Sequence, residues 1–223
     1  MLPLLGVITI GQTPRPDLHD AFAREAPHAE VRVVGALDDL DADAVAALVA
    51  PGDAYPLLVR LRDGSAAEIP LTTIHRYVVA SAQQLAAAGA YAIVVACAGA
   101  FPDVECTVPV LLPGRVLPAT VRRLVHSRHI GVVAPLEGQV AAAESKWRAD
   151  GFEPVMSWAS PAVPHDIHRA AAAMRAASPE LVVLDCMGHG DGYAERFAEL
   201  CGCRVISAQS VTAHVAGAIL PPT

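Results

Sequence analysis

The stretch Pro179-Glu180-Leu181-Val182-Val183-Leu184-Asp185-Cys186-Met187-Gly188-His189-Gly190 constrains the fold most, because an apolar run stops at a cysteine and a glycine-rich turn. Bounded by Ser178-Pro179 and Gly188, it reads as a parallel strand covered on both faces. A helical pattern over residues 193–200 follows, so Cys186 falls where a strand hands over to a helix. Open α/β sheets place ligands at that edge, and amides at a helix start favour anions and thiolates.

The arrangement occurs a second time in Ala90-Tyr91-Ala92-Ile93-Val94-Val95-Ala96-Cys97-Ala98-Gly99-Ala100. Each copy is followed by a short apolar run and then a helical one: residues 108–112 before 118–125, and 204–207 before 211–220. The duplication predicts an α/β chain of two pseudo-symmetric parallel-sheet lobes, flavodoxin- or Rossmann-like, with a cleft where Cys97 and Cys186 can meet. The expected division is residues 1–116 plus 209–223 for the first lobe and 117–208 for the second.

Within the first lobe, Leu4 to Ile10 reads as the first strand, and Gly11-Gln12-Thr13-Pro14-Arg15-Pro16-Asp17 as a polar loop before a helix to about Ala26. A second strand over 31–35 leads to an acidic segment expected to open a helix over 38–49. Residues 57–62 and 67–71 flank Asp63-Gly64 as a hairpin, and a helix over 72–88 leads into the Cys97 strand. In the second lobe, Ile130-Gly131-Val132-Val133-Ala134 restarts the pattern after a helix expected over 118–127. Pro135-Leu136-Glu137-Gly138-Gln139 then holds the position of the Gly11 loop, and the last helix is expected to pack on the first lobe.

Composition narrows the partners. A net charge of −7 with no compensating basic run excludes general attraction to nucleic acid or anionic membrane. The longest uncharged tract, residues 85–101, is broken by Gly89 and Gly99 and divides into a helix end and a strand, not a membrane span. Five cysteines, an odd set without a secretory leader, predict reduced thiols in the cytoplasm. The single lysine, Lys146, lies in Ala143-Glu144-Ser145-Lys146-Trp147 and reads as the exposed part of a helix, which argues against Schiff-base and pyridoxal phosphate chemistry. The expected partner is a small molecule or a protein. Apolar helices are compatible with a homodimer, but no residue fixes its interface.

Several motifs invite other readings and fail on spacing. Gly188-His189-Gly190-Asp191-Gly192 has a mis-spaced third glycine and lies late in the chain, so no dinucleotide cofactor is expected. Cys201-Gly202-Cys203, His126-Ser127-Arg128-His129 and His165-Asp166-Ile167-His168 each have two possible ligands without the further cysteine or histidine spacing of a closed zinc site, so no metal is expected. Cys106, Cys201 and Cys203 read as spectators.

Thr9-Ile10-Gly11-Gln12-Thr13-Pro14-Arg15-Pro16-Asp17, Arg115-Val116-Leu117-Pro118, Gly131-Val132-Val133-Ala134-Pro135-Leu136-Glu137 and Leu184-Asp185-Cys186-Met187-Gly188 together resemble the AroM-like proteins of the aspartate/glutamate racemase superfamily. The resemblance runs over nearly the whole chain and implies two α/β lobes with a strand-end cysteine in each. It also implies cofactor-independent racemase, isomerase or decarboxylase chemistry. In the racemase relatives the first cysteine usually stands in Cys-Asn-Thr and the second in Cys-Thr-His. Here they stand in Cys97-Ala98-Gly99 and Cys186-Met187-Gly188-His189, so the side-chain donors after the first cysteine are missing.

Inversion at a carbon beside a carboxylate needs a base on one face and an acid on the other, and a thiolate–thiol pair meets that requirement. Cys97 and Cys186 are the expected catalytic pair; the bland alternative is two small buried residues at strand ends. Carboxylate binding falls to the backbone of Ala98, Gly99, Met187 and Gly188, helped by Gln12, Thr13 and Arg15. The alternative for that loop is a self-contained cap, with Arg15 paired to Asp17. Asp185 and His189 are tuning candidates for Cys186; otherwise they are a turn acceptor and an exposed imidazole. The competing function is a non-catalytic protein that keeps the cleft as a small-anion site.

Overall fold

The computed structural model describes residues 2–49 and 56–222; Met1, residues 50–55 and Thr223, which the expected division includes, lie outside the described residues. The chain divides into two compact units, one of Met1–Cys97, Phe101–Pro113 and Thr212–Thr223, the other of Ala98–Ala100 and Gly114–Val211.

In chain order the first unit begins β1 (Leu4–Thr9), α1 (Pro16–Glu25), β2 (Glu30–Gly35), α2 (Ala42–Ala46), β3 (Pro56–Arg60), β4 (Ala66–Pro70), α3 (Leu71–Ala87), β5 (Ala90–Ala96) and β6 (Val110–Leu111). Its main sheet has the order β2-β1-β5-β6, and every pair is parallel. Every residue of β1 is buried, as a central strand of a covered parallel sheet requires, whereas edge strand β2 exposes Glu30 and Arg32. Leu18, Ala21 and Phe22 give α1 an inner face at i, i+3 and i+4. The expected hairpin forms as β3 and β4, with Gly64 of its turn at φ +86.

The acidic segment departs from expectation. No helix starts at Asp38; α2 is a short helix whose N-cap, Asp41, accepts the Ala44 N–H at 2.8 Å. The reason is that the Asp38 carboxylate folds back instead, accepting the N–H groups of Gly35 and Thr13 at 2.7 Å each and holding its own segment in a turn.

The chain continues with α4 (Pro113–Leu124), β7 (His129–Ala134), a 3-10 turn at Glu137–Gln139, α5 (Val140–Ala149), β8 (Glu153–Trp158), α6 (Asp166–Ala177), β9 (Val182–Leu184), α7 (Asp191–Cys201), β10 (Val205–Ser207) and α8 (Ala208–Ile219). The second sheet, all parallel, has the order β10-β9-β7-β8. Counting main-sheet strands by their order in each half, both sheets run second, first, third, fourth. Helix α4 starts at Pro113 instead of Pro118, which lies inside it; proline suits a helix's first position, and Gly114 lets this end approach the Gly99 carbonyl where a Cβ would collide. The end of α8 belongs to the first unit, where His214 pairs with Glu25 at 3.0 Å. Ile8, Ile74, Val78 and Ile93 belong to a buried apolar cluster of the first unit, and Met174, Val182, Leu184 and Phe197 to one of the second.

Candidate active site

In a sheet ordered second-first-third, the first and third strands flank the point where connections leave in opposite directions, and ligands bind outside their carboxyl ends. In the first unit those ends are the Gly11 loop after β1 and Cys97 after β5. In the second they are the Pro135 loop after β7 and Cys186 after β9. The paired registers agree. Thr9 stands opposite Ala96, and the residue after Ala96 is Cys97. Val133 stands opposite Leu184, so continuing by one residue sets Asp185 against Ala134 and gives Cys186 the position of Cys97.

The Gly11 loop is built from internal bonds. A Cβ on Gly11 would collide with the Arg60 carbonyl, the same oxygen that accepts the Gln12 N–H at 3.0 Å. Buried Gln12 donates through Nε2 to the Leu37 and Leu40 carbonyls, both at 2.9 Å, and its Oε1 accepts the Arg62 N–H at 3.3 Å. Thr13, joined to Pro14 by a cis peptide, donates its N–H and hydroxyl to Asp38. Arg15 donates through Nε and Nη2 to both Asp17 oxygens at 2.8 and 2.7 Å, and through Nη1 to Thr9 Oγ1 at 3.0 Å. Burial raises the Asp17 carboxyl, but the hydrogen bonds and charge of Arg15 outweigh it and hold the group below its ordinary range. All three expected carboxylate binders of this loop therefore have partners inside the chain, and the Arg15 fork already grips a carboxylate.

Cys97 is 7% exposed and packs in the first apolar core with Val95 and Phe101. Its N–H donates to the Val95 carbonyl at 2.7 Å. The next three residues, Ala98–Ala100, belong to the second unit.

The second unit holds a buried ion pair that the sequence reading did not anticipate. Lys146 is not exposed: its side chain is 7% accessible and that of Asp185 4%. The ammonium donates to both Asp185 oxygens, at 2.8 and 2.7 Å, and to the Ala98 carbonyl at 2.7 Å. The indole N–H of fully buried Trp147 adds a third hydrogen bond to Asp185, at 3.0 Å. Three protons on Nζ thus meet three acceptors, the condition under which a buried charge pair is tolerated. A signal was present: Ala143, Lys146 and Trp147 stand at i, i+3 and i+4, the spacing of one helix face.

Around Cys186 the chain turns tightly. The Gly188 N–H donates to Cys186 Sγ at 3.3 Å and the His189 N–H to the Cys186 carbonyl at 3.2 Å. A donor on sulfur favours its thiolate. The buried Met187 presents its carbonyl to Gln209 Nε2 at 2.9 Å. His189 is fully buried, not exposed. Its Nε2 lies 2.9 Å from the Ala159 carbonyl, which can only accept, so the ring proton sits on Nε2 and Nδ1 is a bare acceptor with no partner among the described residues. Burial drives the imidazole down to about 4. The ring stacks on Tyr193 with centroids 4.6 Å apart. Burial, the Asp166 charge and then Cys186 push the Tyr193 phenol up to about 12.

Among the described residues no three His, Cys, Asp or Glu side chains gather as a metal site, and no helix is long and apolar enough to cross a membrane. None of the five cysteines is in a disulfide.

Solved structures that the chain resembles define a class. Glutamate racemase from Aquifex pyrophilus superposes with a TM-score of 0.63 at 14% identity, covering 98% of this chain and 84% of that one. Arylmalonate decarboxylase gives 0.65 at 14% identity, over 99% and 94%. Allantoin racemase from Pseudomonas fluorescens gives 0.56 at 16% identity, over 97% and 90%. The fold is the one that these racemases and this decarboxylase share. Within it, residues 5–220 match the family described as AroM protein, and the chain belongs to the AroM family. Comparison with curated proteins returns no match.

Proposed function

We propose that this AroM-family protein is a cofactor-independent enzyme that moves a proton at the carbon beside a small substrate's carboxylate, with Cys97 and Cys186 as the proton-exchanging pair. One observation carries the reading: two sheets of the same strand order each place a cysteine just past their third strand, one residue beyond β5 and two beyond β9, at the edge where α/β sheets bind ligands. The racemases and the decarboxylase whose fold the chain shares lend it support.

In racemisation, a thiolate takes the α-proton, its S–H forming as the C–H bond breaks. The other thiol protonates the opposite face, its S–H breaking as the new C–H forms. In decarboxylation the C–C bond breaks, carbon dioxide leaves, and one thiol protonates the electron pair left on carbon. The Gly188 N–H on Cys186 Sγ favours the thiolate that racemisation needs as its base and that decarboxylation leaves once the thiol has given up its proton. With Arg15 engaged by Asp17, the substrate carboxylate falls to backbone N–H groups of Ala98, Gly99, Met187 and Gly188, while Gln12, Thr13 and Arg15 shape the loop beside it. Asp185 acts on Cys186 through its charge, and His189 through the turn it closes.

A non-catalytic small-anion binding protein is the second reading, favoured by Ala98-Gly99 after Cys97, where no polar side chain is available. The test is α-proton exchange by NMR in heavy water over aspartate, glutamate, hydantoins, hydroxy acids and arylmalonates, comparing the protein with Cys97→Ser and Cys186→Ser. Exchange lost in both variants supports the two-thiol reading. No exchange on any compound, with one of them still raising the melting temperature, replaces it with the binding protein.

A further inference from the structure

We propose that Lys146 is a positioning residue for this site: its ammonium ties the peptide following Cys97 to the carboxylate preceding Cys186 and offsets that carboxylate's charge at the residue adjoining Cys186. The inference rests on the two-cysteine reading above and adds to it a residue from a different helix. Its basis is the trio of contacts from Nζ, to Ala98 O and to both oxygens of Asp185, with both side chains almost wholly buried.

Two physical effects follow. A cation on the Ala98 carbonyl polarises the Ala98-Gly99 peptide and makes the Gly99 N–H, one of the proposed carboxylate donors, a stronger donor. The second effect is charge balance. The ionisable groups about this strand end are Lys146 from α5, Asp185, Cys186 and His189 of the turn, and Tyr193 of α7, which in turn senses Asp166 and Arg169 of α6. Of these, the Lys146–Asp185 pair joins opposite charges next to Cys186. Removing the cation leaves Asp185 opposing the thiolate; removing the anion leaves Lys146 supporting it.

The test uses Lys146→Met, Asp185→Asn and Lys146→Arg in the full chain, with alkylation of Cys186 by iodoacetamide at neutral pH followed by peptide mass spectrometry. The expected result is a slower reaction in K146M, a faster one in D185N and a near-normal one in K146R. Each change should be about three- to tenfold, the effect of half to one pKa unit on the thiolate fraction. In protein labelled with 15N-glycine, the Gly99 amide proton should move upfield in K146M while Gly151 stays in place.

A purely structural pair would loosen the turn in both single variants and accelerate alkylation in both. That outcome, or an unmoved Gly99 resonance, overturns the proposal. Should K146M fail to fold, the neutral double variant K146M/D185L decides: Gly99 moves upfield with Cys186 near its normal rate if the proposal holds, and Gly99 is unmoved if it does not. None of these readouts needs turnover, so a protein that exchanges no α-proton defeats the enzymatic reading and still reports on Lys146.

Discussion

The indole N–H of Trp147 and the ammonium of Lys146 share one oxygen of Asp185, at 3.0 and 2.7 Å. Neighbours on α5 thus converge on the residue that ends the apolar run of β9. Replacing Trp147 with Phe removes one hydrogen bond to a buried carboxylate. Such bonds contribute about 1.5–3 kcal/mol, so W147F is expected to lose about that much stability, read from urea denaturation followed by circular dichroism.

Asp38 carries three donors: the N–H groups of Thr13 and Gly35, and the Thr13 hydroxyl. Asp38→Ala strands them in a half-buried setting, with an expected loss of about 1–3 kcal/mol. Hydrogen exchange should quicken at the Thr13 and Gly35 amides while those of β5 keep their protection.

His189 gives stability a pH dependence. Its folded value, about 4, lies below the ordinary 6.5, so its contribution is complete above pH 6.5 and is lost as pH falls toward 4. The difference corresponds to about 3 kcal/mol. Denaturation midpoints should fall across that window in the wild type, and His189→Phe should flatten the decline.

Glu180 acts at lower pH. Its carboxylate accepts the Ser127 and His126 N–H groups, each at 2.7 Å, and these bonds bring it from 4.5 to about 2. A depressed carboxyl stabilises above its unfolded value and ceases to do so as pH falls from 4.5 toward 2. Glu180→Gln should therefore remove part of the decline in melting temperature in that range and leave the decline above pH 4.5 intact.

The legibility of this molecule follows the range of the interactions. The repeated apolar run ending in cysteine is local, and it carried the α/β class, the two parallel sheets and the strand-end placement of Cys97 and Cys186. The Asp63-Gly64 hairpin was legible for the same reason. Features set by distant partners were not. Asp38 looked like a helix start because its acceptors' donors, Thr13 among them, lie on another loop. His189 looked exposed because nothing nearby marks Ala159, whose carbonyl holds its ring. Lys146 looked solvated on residue type alone, although its spacing from Ala143 already set it beside the inner face of α5.

Because the only lysine is the one sealed against Asp185, the folded chain exposes no side-chain amine. Amine-directed acylation and lysine crosslinking have no accessible side-chain target on it while it stays folded. Labelling with ε-15N-lysine, conversely, yields one nitrogen line, and that line reports on a single buried contact without assignment.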